Sequence, residues 1–322
     1  MSLAQAQGGT PEIRFRIVRP VVSLALCVLV LAVLAMYAPS FFKLNNFINI
    51  LVQASTLAVM AIGMAVVMIG GGIDLSLPFN AALSAVLGAM YMRATGDPIG
   101  GPLVMIGSAL AIGAFNGVAV GYLRMIPFVV TLAMMTVTNG AAVWLTNSIS
   151  IAEIPAAFVD PFFSRYLGVP LSVYVALVVS ILAYVLMSMT IYGRWLYAVG
   201  INVKAARVAR IPGKRVIAVS YAFAGLIAGI AAIMLTGRLA SASSNLASPT
   251  LVLDVVSACV VGGISIYGGA GKVYGAIFGA LFMTLLSNAL NAAEVTVYVN
   301  QMIRGAIIVA FIAFDHLTAR GN

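Results

Sequence analysis

Long runs of residues without a charged side chain constrain the fold of this chain more than any other feature. The first of them, from Pro20 to Phe42, is 23 residues long, and a helix needs about 20 consecutive apolar residues to cross a membrane. The 322 residues are 63% hydrophobic and 8% charged, whereas soluble domains are about 45–50% apolar and about 25% charged. The chain is therefore predicted to be an integral membrane protein.

The uncharged runs predict an all-α polytopic membrane protein with about ten transmembrane helices. The predicted spans lie near residues 21–38, 50–70, 78–92, 102–122, 127–146, 170–190, 217–236, 251–262, 274–290 and 299–314. They form one permease domain, 21–314, between cytoplasmic tails 1–20 and 315–322. Three arginines precede the first run, as in a signal peptide, but the run is long and no small-residue cleavage pattern follows promptly, so a retained first helix is expected.

The basic residues indicate how the chain is oriented. Six of the 17 Lys and Arg lie in the connection 191–216: Arg194, Lys204, Arg207, Arg210, Lys214 and Arg215. With a cytoplasmic N-terminus, twelve basic residues fall on inner segments and five on outer ones, in agreement with the positive-inside rule. The prediction is a bacterial inner membrane protein with both termini in the cytoplasm. This distribution accounts for the net charge of +9, so nucleic acid is not expected as a partner.

Two glycine-rich segments interrupt the pattern of continuous helices. The first contains Gly70–Asp74 and the second Gly262–Gly271, and both include the sequence Gly-Gly-Ile. Irregular backbone within a bilayer is tolerated only where protein or a water-filled cavity satisfies its amides and carbonyls. Paired interruptions of this kind are typical of transporters, and the shared sequence allows an internal duplication.

The chain lacks the residues that an independent energy source or an enzyme would need. The segment Gly268–Val273 has Ile266 where a phosphate-binding loop needs its first glycine and Val273 where it needs Ser or Thr. Only Asp74 and Asp254 among the eight acids are expected to lie at membrane depth, and ion-coupled carriers usually have more buried ionisable groups than that. Both cysteines lie inside apolar runs. No catalytic residue, cofactor or metal is expected, and the energy for transport is expected to come from a partner.

The connection 191–216 is the predicted docking element for that partner. Its centre, Asn202–Ile211, has the alanine-rich composition of a short helix. The residues expected to contact an ATPase are Asn202, Lys204, Ala205, Ala206, Arg207 and Arg210. The alternative is an ordinary positive-inside loop without a partner.

Four stretches together resemble the permease subunits of ABC importers for monosaccharides of the ribose, xylose and arabinose type. They are Gly72-Ile73-Asp74-Leu75-Ser76; Asn116-Gly117 with Pro127-Phe128-Val129-Val130-Thr131-Leu132; Asn202 with Ala205-Ala206-Arg207; and Leu253-Asp254 with Val261-Gly262-Gly263, Ser265, Gly268-Gly269 and Gly271. The resemblance covers nearly the whole chain from Asn46 onward. It implies cytoplasmic ATP-binding subunits, a second permease copy or a homologous permease, and an extracytoplasmic sugar-binding protein as partners.

Two departures from this family lie in the docking element. The family commonly reads Glu-Ala-Ala, three residues and then Gly, whereas this chain has Lys204 and Arg210 at the first and last of these positions. A partner surface with compensating acids is therefore predicted. A third departure, Leu77-Pro78 in place of Val-Gly, suits the start of a helix, because proline lacks an amide donor.

The predicted pathway or gate residues are Gly72, Asp74, Ser76, Asn116, Thr131, Asp254, Gly262 and Gly263. Asp74 has two interpretations, a cap for the following helix or a gate residue. Asp254 allows pairing with Arg238 or Lys272, and a substrate contact is the less favoured reading. Glycines at helix-contact spacing, such as Gly113 and Gly117, favour packing within one subunit over a dimer contact.

The function predicted from the sequence is the permease subunit of an ATP-driven monosaccharide importer in the cell membrane. Alternatives are a related permease for branched-chain amino acids or nucleosides, a self-sufficient carrier and, least favoured, a membrane-embedded enzyme. The sequence does not name the sugar, because such importers take much of their specificity from the binding protein.

Overall fold

The computed structural model describes residues 43–319, and these residues are almost entirely helical. The only strands in this range are Arg165–Tyr166 (β1) and Val169–Pro170 (β2), which form a small antiparallel hairpin. The all-α prediction is confirmed. The predicted tail 1–20 and the first span near 21–38 lie outside the described residues, as do residues 320–322 of the second tail.

Twelve α-helices follow one another between Leu44 and Ala319, with one 3₁₀ turn at Ser244–Leu246. They are α1 Leu44–Ile69, α2 Leu77–Thr95, α3 Gly100–Gly121, α4 Pro127–Thr146, α5 Ala156–Phe163, α6 Leu171–Met189, α7 Ile191–Ile201, α8 Val203–Val208, α9 Gly213–Leu239, α10 Pro249–Val261, α11 Val273–Ala292 and α12 Val297–Ala319.

Seven helices of the described chain are long and apolar enough to cross a membrane, so the protein is multi-pass. They are α1, α3, α4, α6, α9, α11 and α10 together with its preceding 3₁₀ turn. Two further helices, α2 and α12, coincide with the spans predicted near 78–92 and 299–314. The last helix continues to Ala319, five residues into the segment expected to be a tail.

The described residues fall into two compact units, Leu44–Leu285 and a second one that contains Lys43 and residues 286–319. In the second unit, Asn300 donates a hydrogen bond to Asn291 (3.2 Å) and accepts one from Arg304 (2.8 Å). These bonds join the end of α11 to the start of α12 by polar side chains.

The first unit is built around two buried helices. Every residue of α1 from Ala58 to Ile69 is buried, as is every residue of α2 from Leu77 to Val86. Since α1 and α2 are covered on all sides there, α2 can carry Asn80 and Ser84 without exposing them to lipid. The Asn80 side chain donates to the Ala109 carbonyl of α3 (3.0 Å).

Helices α3 and α9 approach each other through glycine. A Cβ at Gly113 would lie 2.6 Å from both the Gly225 Cα and the Tyr221 carbonyl oxygen, and one at Gly229 would lie 2.8 Å from the Ile106 Cα. Glycine permits this close backbone contact where lipid provides no hydrophobic drive for helix association. The prediction that these glycines pack within one subunit is confirmed.

The connections at the end predicted to be extracytoplasmic are tied together. Ile151, after α4, exchanges two backbone hydrogen bonds with Ala242, after α9. Arg93 at the end of α2 forms a 2.7 Å ion pair with Glu153. Gly237 of α9 lies against the Phe162 ring of α5. The contact of Gly237 places α5 at this end of the first unit, and the hairpin follows α5 directly in the chain.

Candidate functional site

The first glycine-rich segment begins with a tight helix end. The Gly72 amide donates to the Val67 carbonyl (3.1 Å) and the Gly71 amide to the Met68 carbonyl (2.9 Å), while Gly71 has φ +84°. This is the Schellman arrangement, in which the residue after the helix cap takes the left-handed conformation that glycine adopts most easily. It stops α1 at Ile69 and turns the chain back toward α2.

Two hydroxyl groups hold the Ile73 carbonyl in place. The Thr131 hydroxyl of α4 lies 3.2 Å from it and the Tyr221 hydroxyl of α9 lies 3.4 Å from it. Gly72 is required beside them, because a Cβ there would overlap the Tyr221 hydroxyl. The segment is thus anchored to two helices that are distant in sequence.

Asp74 lies in a buried chain of hydrogen bonds. Its Oδ1 accepts from the Ser76 amide (3.0 Å) and the Ser76 hydroxyl (2.6 Å), and Ser76 Oγ accepts from Asn116 Nδ2 (2.9 Å). Asp74 is 2% exposed, and Ser76 and Asn116 are fully buried. Asn116 Oδ1 has no hydrogen-bond partner among the described residues. The Asp74 side chain is therefore sequestered from solvent and bonded to Ser76 of its own segment, and Asn116 of α3 holds Ser76 in turn.

This geometry refines the capping interpretation of Asp74. The N-cap of α2 is Ser76, and its side chain accepts no bond from the first turn. Asp74 instead bonds to the amide and hydroxyl of Ser76 itself. The carboxylate shapes the approach to α2 rather than its first turn.

The second glycine-rich segment begins with the same type of helix end. The Ile264 amide donates to the Cys259 carbonyl (3.0 Å) and the Gly263 amide to the Val260 carbonyl (2.9 Å), with Gly263 at φ +80°. Here the left-handed residue is the second glycine of Gly-Gly-Ile, whereas in the first segment it is Gly71, the first glycine of that motif. The two motifs are therefore one residue out of step in conformation, which weakens the case for an internal duplication.

Gly262 and Gly275 bring α10 and α11 into contact. A Cβ on either residue would overlap the backbone of the other. Gly262 thus serves helix packing, and Gly263 serves the turn. Asp254 lies in α10, two turns before this segment, and is partly buried.

The two glycine-rich segments meet each other and the end of α7. The Gly269 amide donates to the Ile69 carbonyl (2.8 Å). A Cβ at Gly268 would lie 2.8 Å from the Gly71 Cα and 3.0 Å from the Gly200 carbonyl oxygen. We call this contact of Ile69, Gly71, Gly200, Gly268 and Gly269 the glycine junction. The structure therefore brings together both interrupted segments and the end of α7, which belongs to the docking element 191–216.

Side chains of α7 complete the junction. The Tyr197 hydroxyl donates to the Gly271 carbonyl (2.7 Å). Burial, and then the nearby Tyr274, raise the pKa of the Tyr197 phenol, which keeps it protonated as a donor. Leu196 is fully buried and lies against Gly70.

The short helix predicted within Asn202–Ile211 is present as α8. Asn202 Oδ1 accepts from the Lys204 amide (2.9 Å) and the Ala205 amide (3.1 Å), which caps the first turn. At the other end the Ile211 amide donates to the Ala206 carbonyl (3.0 Å) and Arg210 takes φ +57°. Arg210 therefore holds the left-handed position of a Schellman turn, where glycine is usual.

The structure groups the predicted site residues in three places. The first segment contains or contacts Gly72, Asp74, Ser76, Asn116 and Thr131. The second segment begins with Gly262 and Gly263. Helix α8 and its caps contain Asn202, Lys204, Ala205, Ala206, Arg207 and Arg210. Asp254 lies in α10, the helix that ends just before Gly262. Sequence reasoning missed Tyr197, Gly200 and Tyr221. An isolated glycine inside a helical pattern was the one available signal, at Gly200.

The chain is similar to known transport proteins over most of its length. The chain matches the family described as "Branched-chain amino acid transport system / permease component" over residues 46–312. It is 33% identical over 302 residues to the ribose import permease protein RbsC of Escherichia coli (strain K12), covering 91% of this chain and 92% of that protein. The ribose import permease protein RbsC of Bacillus subtilis (strain 168) is 32% identical over 298 residues, covering 92% and 91%.

The D-allose transport system permease protein AlsC of Escherichia coli (strain K12) is 30% identical over 298 residues, covering 91% of this chain and 90% of that protein. No solved structure matches the chain significantly. The family match covers most of the sequence and includes both glycine-rich segments and the docking connection. The chain is therefore a member of this family of transport-system permease components.

Proposed function

We propose that this chain is the membrane-spanning permease subunit of an ATP-driven importer and that its substrate is a monosaccharide. The observation that carries the proposal is the identity of 30% or more, over nine-tenths of the chain, to permeases named for ribose import and D-allose transport. The family description names branched-chain amino acids. The named relatives favour a sugar over an amino acid.

The exposure of α8 supports an ATPase as the energy source. Of its six residues only Ala206 is buried, while Val203 and Val208 are 50% and 87% exposed. A short helix gains little from its own propensity, yet α8 is capped at both ends and presents Lys204 and Arg207 with apolar side chains. Such a surface fits a partner groove with acidic residues around an apolar floor. The partner would hydrolyse ATP, and this chain would not.

The assembly follows from the same orientation. The 191–216 connection faces the cytoplasm, where two ATP-binding subunits dock, and α5 with the hairpin faces outward, where a sugar-binding protein delivers substrate. A second copy of the chain, or a homologous permease, completes the pathway. Exposed apolar side chains on α3, α4 and α6 suit lipid or that second permease; they include Leu103, Phe115, Phe128, Leu132, Leu177 and Leu182.

The pathway is proposed to open and close at the two glycine-rich segments. ATP binding would close the ATPase pair and displace α8, which changes the packing of the helices that flank the pathway. One side of this gate would be formed by Gly72, Asp74, Ser76, Asn116 and Thr131. The other side would be formed by Gly262, Gly263 and Asp254. Alternating exposure of the pathway to the two sides of the membrane follows from that movement.

Uptake measurements test the proposal. Cells expressing the chain with its ATPase and binding protein are given labelled pentoses, hexoses, leucine or a nucleoside. A second strain carries the ATPase with an inactive phosphate-binding loop. The expected result is accumulation of a monosaccharide against its gradient in the first strain and not in the second.

Other outcomes separate the alternatives. Accumulation of leucine or the nucleoside, without any sugar, would assign the chain to a different substrate class. Sugar uptake that is unchanged by the inactive ATPase would show a self-sufficient carrier and would overturn the role given to α8.

A further inference from the structure

We propose that Tyr197 and Gly200, in the last turns of α7, are positioning residues that transmit the displacement of α8 to both glycine-rich segments. The inference rests on the proposed function, in which an ATPase moves α8. It assigns the transmission to two residues that lie outside the docking surface and outside the predicted gate.

Helices α7 and α8 are joined by one residue. Asn202 ends α7 and begins α8. Its amide donates to the Ala198 carbonyl (3.1 Å), while its side chain accepts from the Lys204 and Ala205 amides. Because the link has bonds in both directions and no extra residues, it cannot absorb a displacement of α8 as a flexible linker would. Motion of α8 is passed to α7.

Gly200 packs directly against the hydrogen bond that connects the two glycine-rich segments. That bond joins the Gly269 amide to the Ile69 carbonyl at 2.8 Å. A Cβ at Gly200 would overlap the Ile69 oxygen and lie 2.6 Å from the Gly269 nitrogen. Any shift of the end of α7 therefore presses on, or withdraws from, the end of α1 and the second segment at the same time.

Tyr197 ties the same turn of α7 to the far end of the second segment. Its hydroxyl donates to the Gly271 carbonyl at 2.7 Å, two residues beyond the bond that Gly200 covers. Gly268, Gly269 and Gly271 all have positive φ, so glycine is needed at three positions of this short stretch. A segment with this much backbone freedom takes its shape from its contacts, and α7 supplies two of them.

The test uses Tyr197→Phe, which removes only the hydroxyl. The matched control is Tyr174→Phe, because the Tyr174 hydroxyl also donates to a backbone carbonyl, that of Tyr166 at 2.8 Å, at the predicted outer end. Both variants are purified as the complete complex in lipid vesicles with the binding protein. Uptake of each labelled solute of the panel, D-ribose among the pentoses, and ATP hydrolysis are measured on the same sample.

The expected result is a loss of coupling. Sugar transported per ATP hydrolysed falls about twofold to tenfold in Tyr197→Phe, the range given by one net hydrogen bond, and is unchanged in Tyr174→Phe. A structural role alone would reduce the amount of complex and leave that ratio unchanged, so an unchanged ratio would overturn the proposal. If the wild-type complex shows no ATP-dependent uptake of any solute of the panel, the proposed function fails instead.

A second measurement needs neither a substitution nor a substrate. Hydrogen exchange is followed across residues 265–272 of the wild-type complex, with and without a non-hydrolysable ATP analogue. The proposal expects exchange at the Gly269 amide to change when the ATPase closes, because α7 covers its bond to Ile69. Exchange in residues 265–272 that does not respond to the analogue, while the amides of α8 do respond, would overturn the proposal.

Discussion

Arg210 holds a backbone conformation that side chains other than glycine adopt at a cost. Its φ is +57°, and the left-handed region costs an L-residue about 1–2 kcal/mol. The conformation is imposed by the turn after α8, where the Arg210 amide donates to the Arg207 carbonyl (3.0 Å). The side chain is exposed and gains no packing in return. This cost to the free chain is consistent with a role for the guanidinium in docking.

We expect Arg210→Gly to stabilise the end of α8 by about 1 kcal/mol. Arg207→Gly is the matched control, because the same substitution three residues earlier falls within the helix and should destabilise it by about 1 kcal/mol. Hydrogen exchange at the Ile211 amide, bonded to Ala206 at 3.0 Å, reports both changes. Relative to the wild-type protein, we expect slower exchange in Arg210→Gly and faster exchange in Arg207→Gly. Effects of the same sign would show that φ at Arg210 does not limit this turn.

Ser76 is the central member of the buried chain from Asp74 to Asn116. We expect Ser76→Ala to lower the free energy of unfolding by about 1–3 kcal/mol, because Asn116 Nδ2 is then left buried without an acceptor. Ser108→Ala is the control, since the Ser108 hydroxyl bonds only within its own helix, to Val104 at 2.7 Å and Met105 at 3.2 Å. Thermal unfolding in detergent compares the two. Equal effects would mean that the bond to Asn116 contributes nothing beyond a local one.

At the scale of elements, the pair of α3 and α9 depends on the absence of side chains at its contact. We expect Gly113→Ala to destabilise the protein by about 1–3 kcal/mol, as overpacking does, because its nearest neighbours are backbone atoms that cannot rotate away. Gly107→Ala in the same helix meets nothing within 4 Å and should be neutral or slightly stabilising. Thermal unfolding of both variants measures the difference. A tolerated Gly113→Ala would show that the two helices can separate freely.

Elements were predicted where one local signal sufficed. The uncharged runs located the described spans, and Asn202 with the alanines after it located α8. The glycine runs located both interrupted segments, because glycine marks positive φ. The glycine junction could not be predicted, since Gly200 and Gly269 meet only after helices distant in sequence have packed. Tyr221 gave no signal, because its role beside Gly72 depends on the position of α9.

For the whole molecule, the distribution of charge is the strongest argument for orientation. Most basic residues fall on one side when the N-terminus is cytoplasmic, and the reverse orientation would violate the positive-inside rule. The contacts among the connections predicted to be outer, such as the bridge of Ile151 and Ala242, are consistent with one common end for α2, α4 and α9. Helix packing alone has no preference for either side of the membrane, so an orientation needs its own test.

Two exposed positions at opposite predicted ends provide that test. Leu167, at the tip of the hairpin, is 99% exposed, and Val208, at the end of α8, is 87% exposed. Each is changed to cysteine in a chain carrying Cys27→Ser, while the remaining Cys259 is fully buried. A membrane-impermeant maleimide added to intact spheroplasts should label Leu167→Cys and leave Val208→Cys unlabelled, and inverted vesicles should reverse the pattern. The opposite result would place α8 outside, beyond reach of a cytoplasmic ATPase, and would remove the basis for an ATP-driven importer.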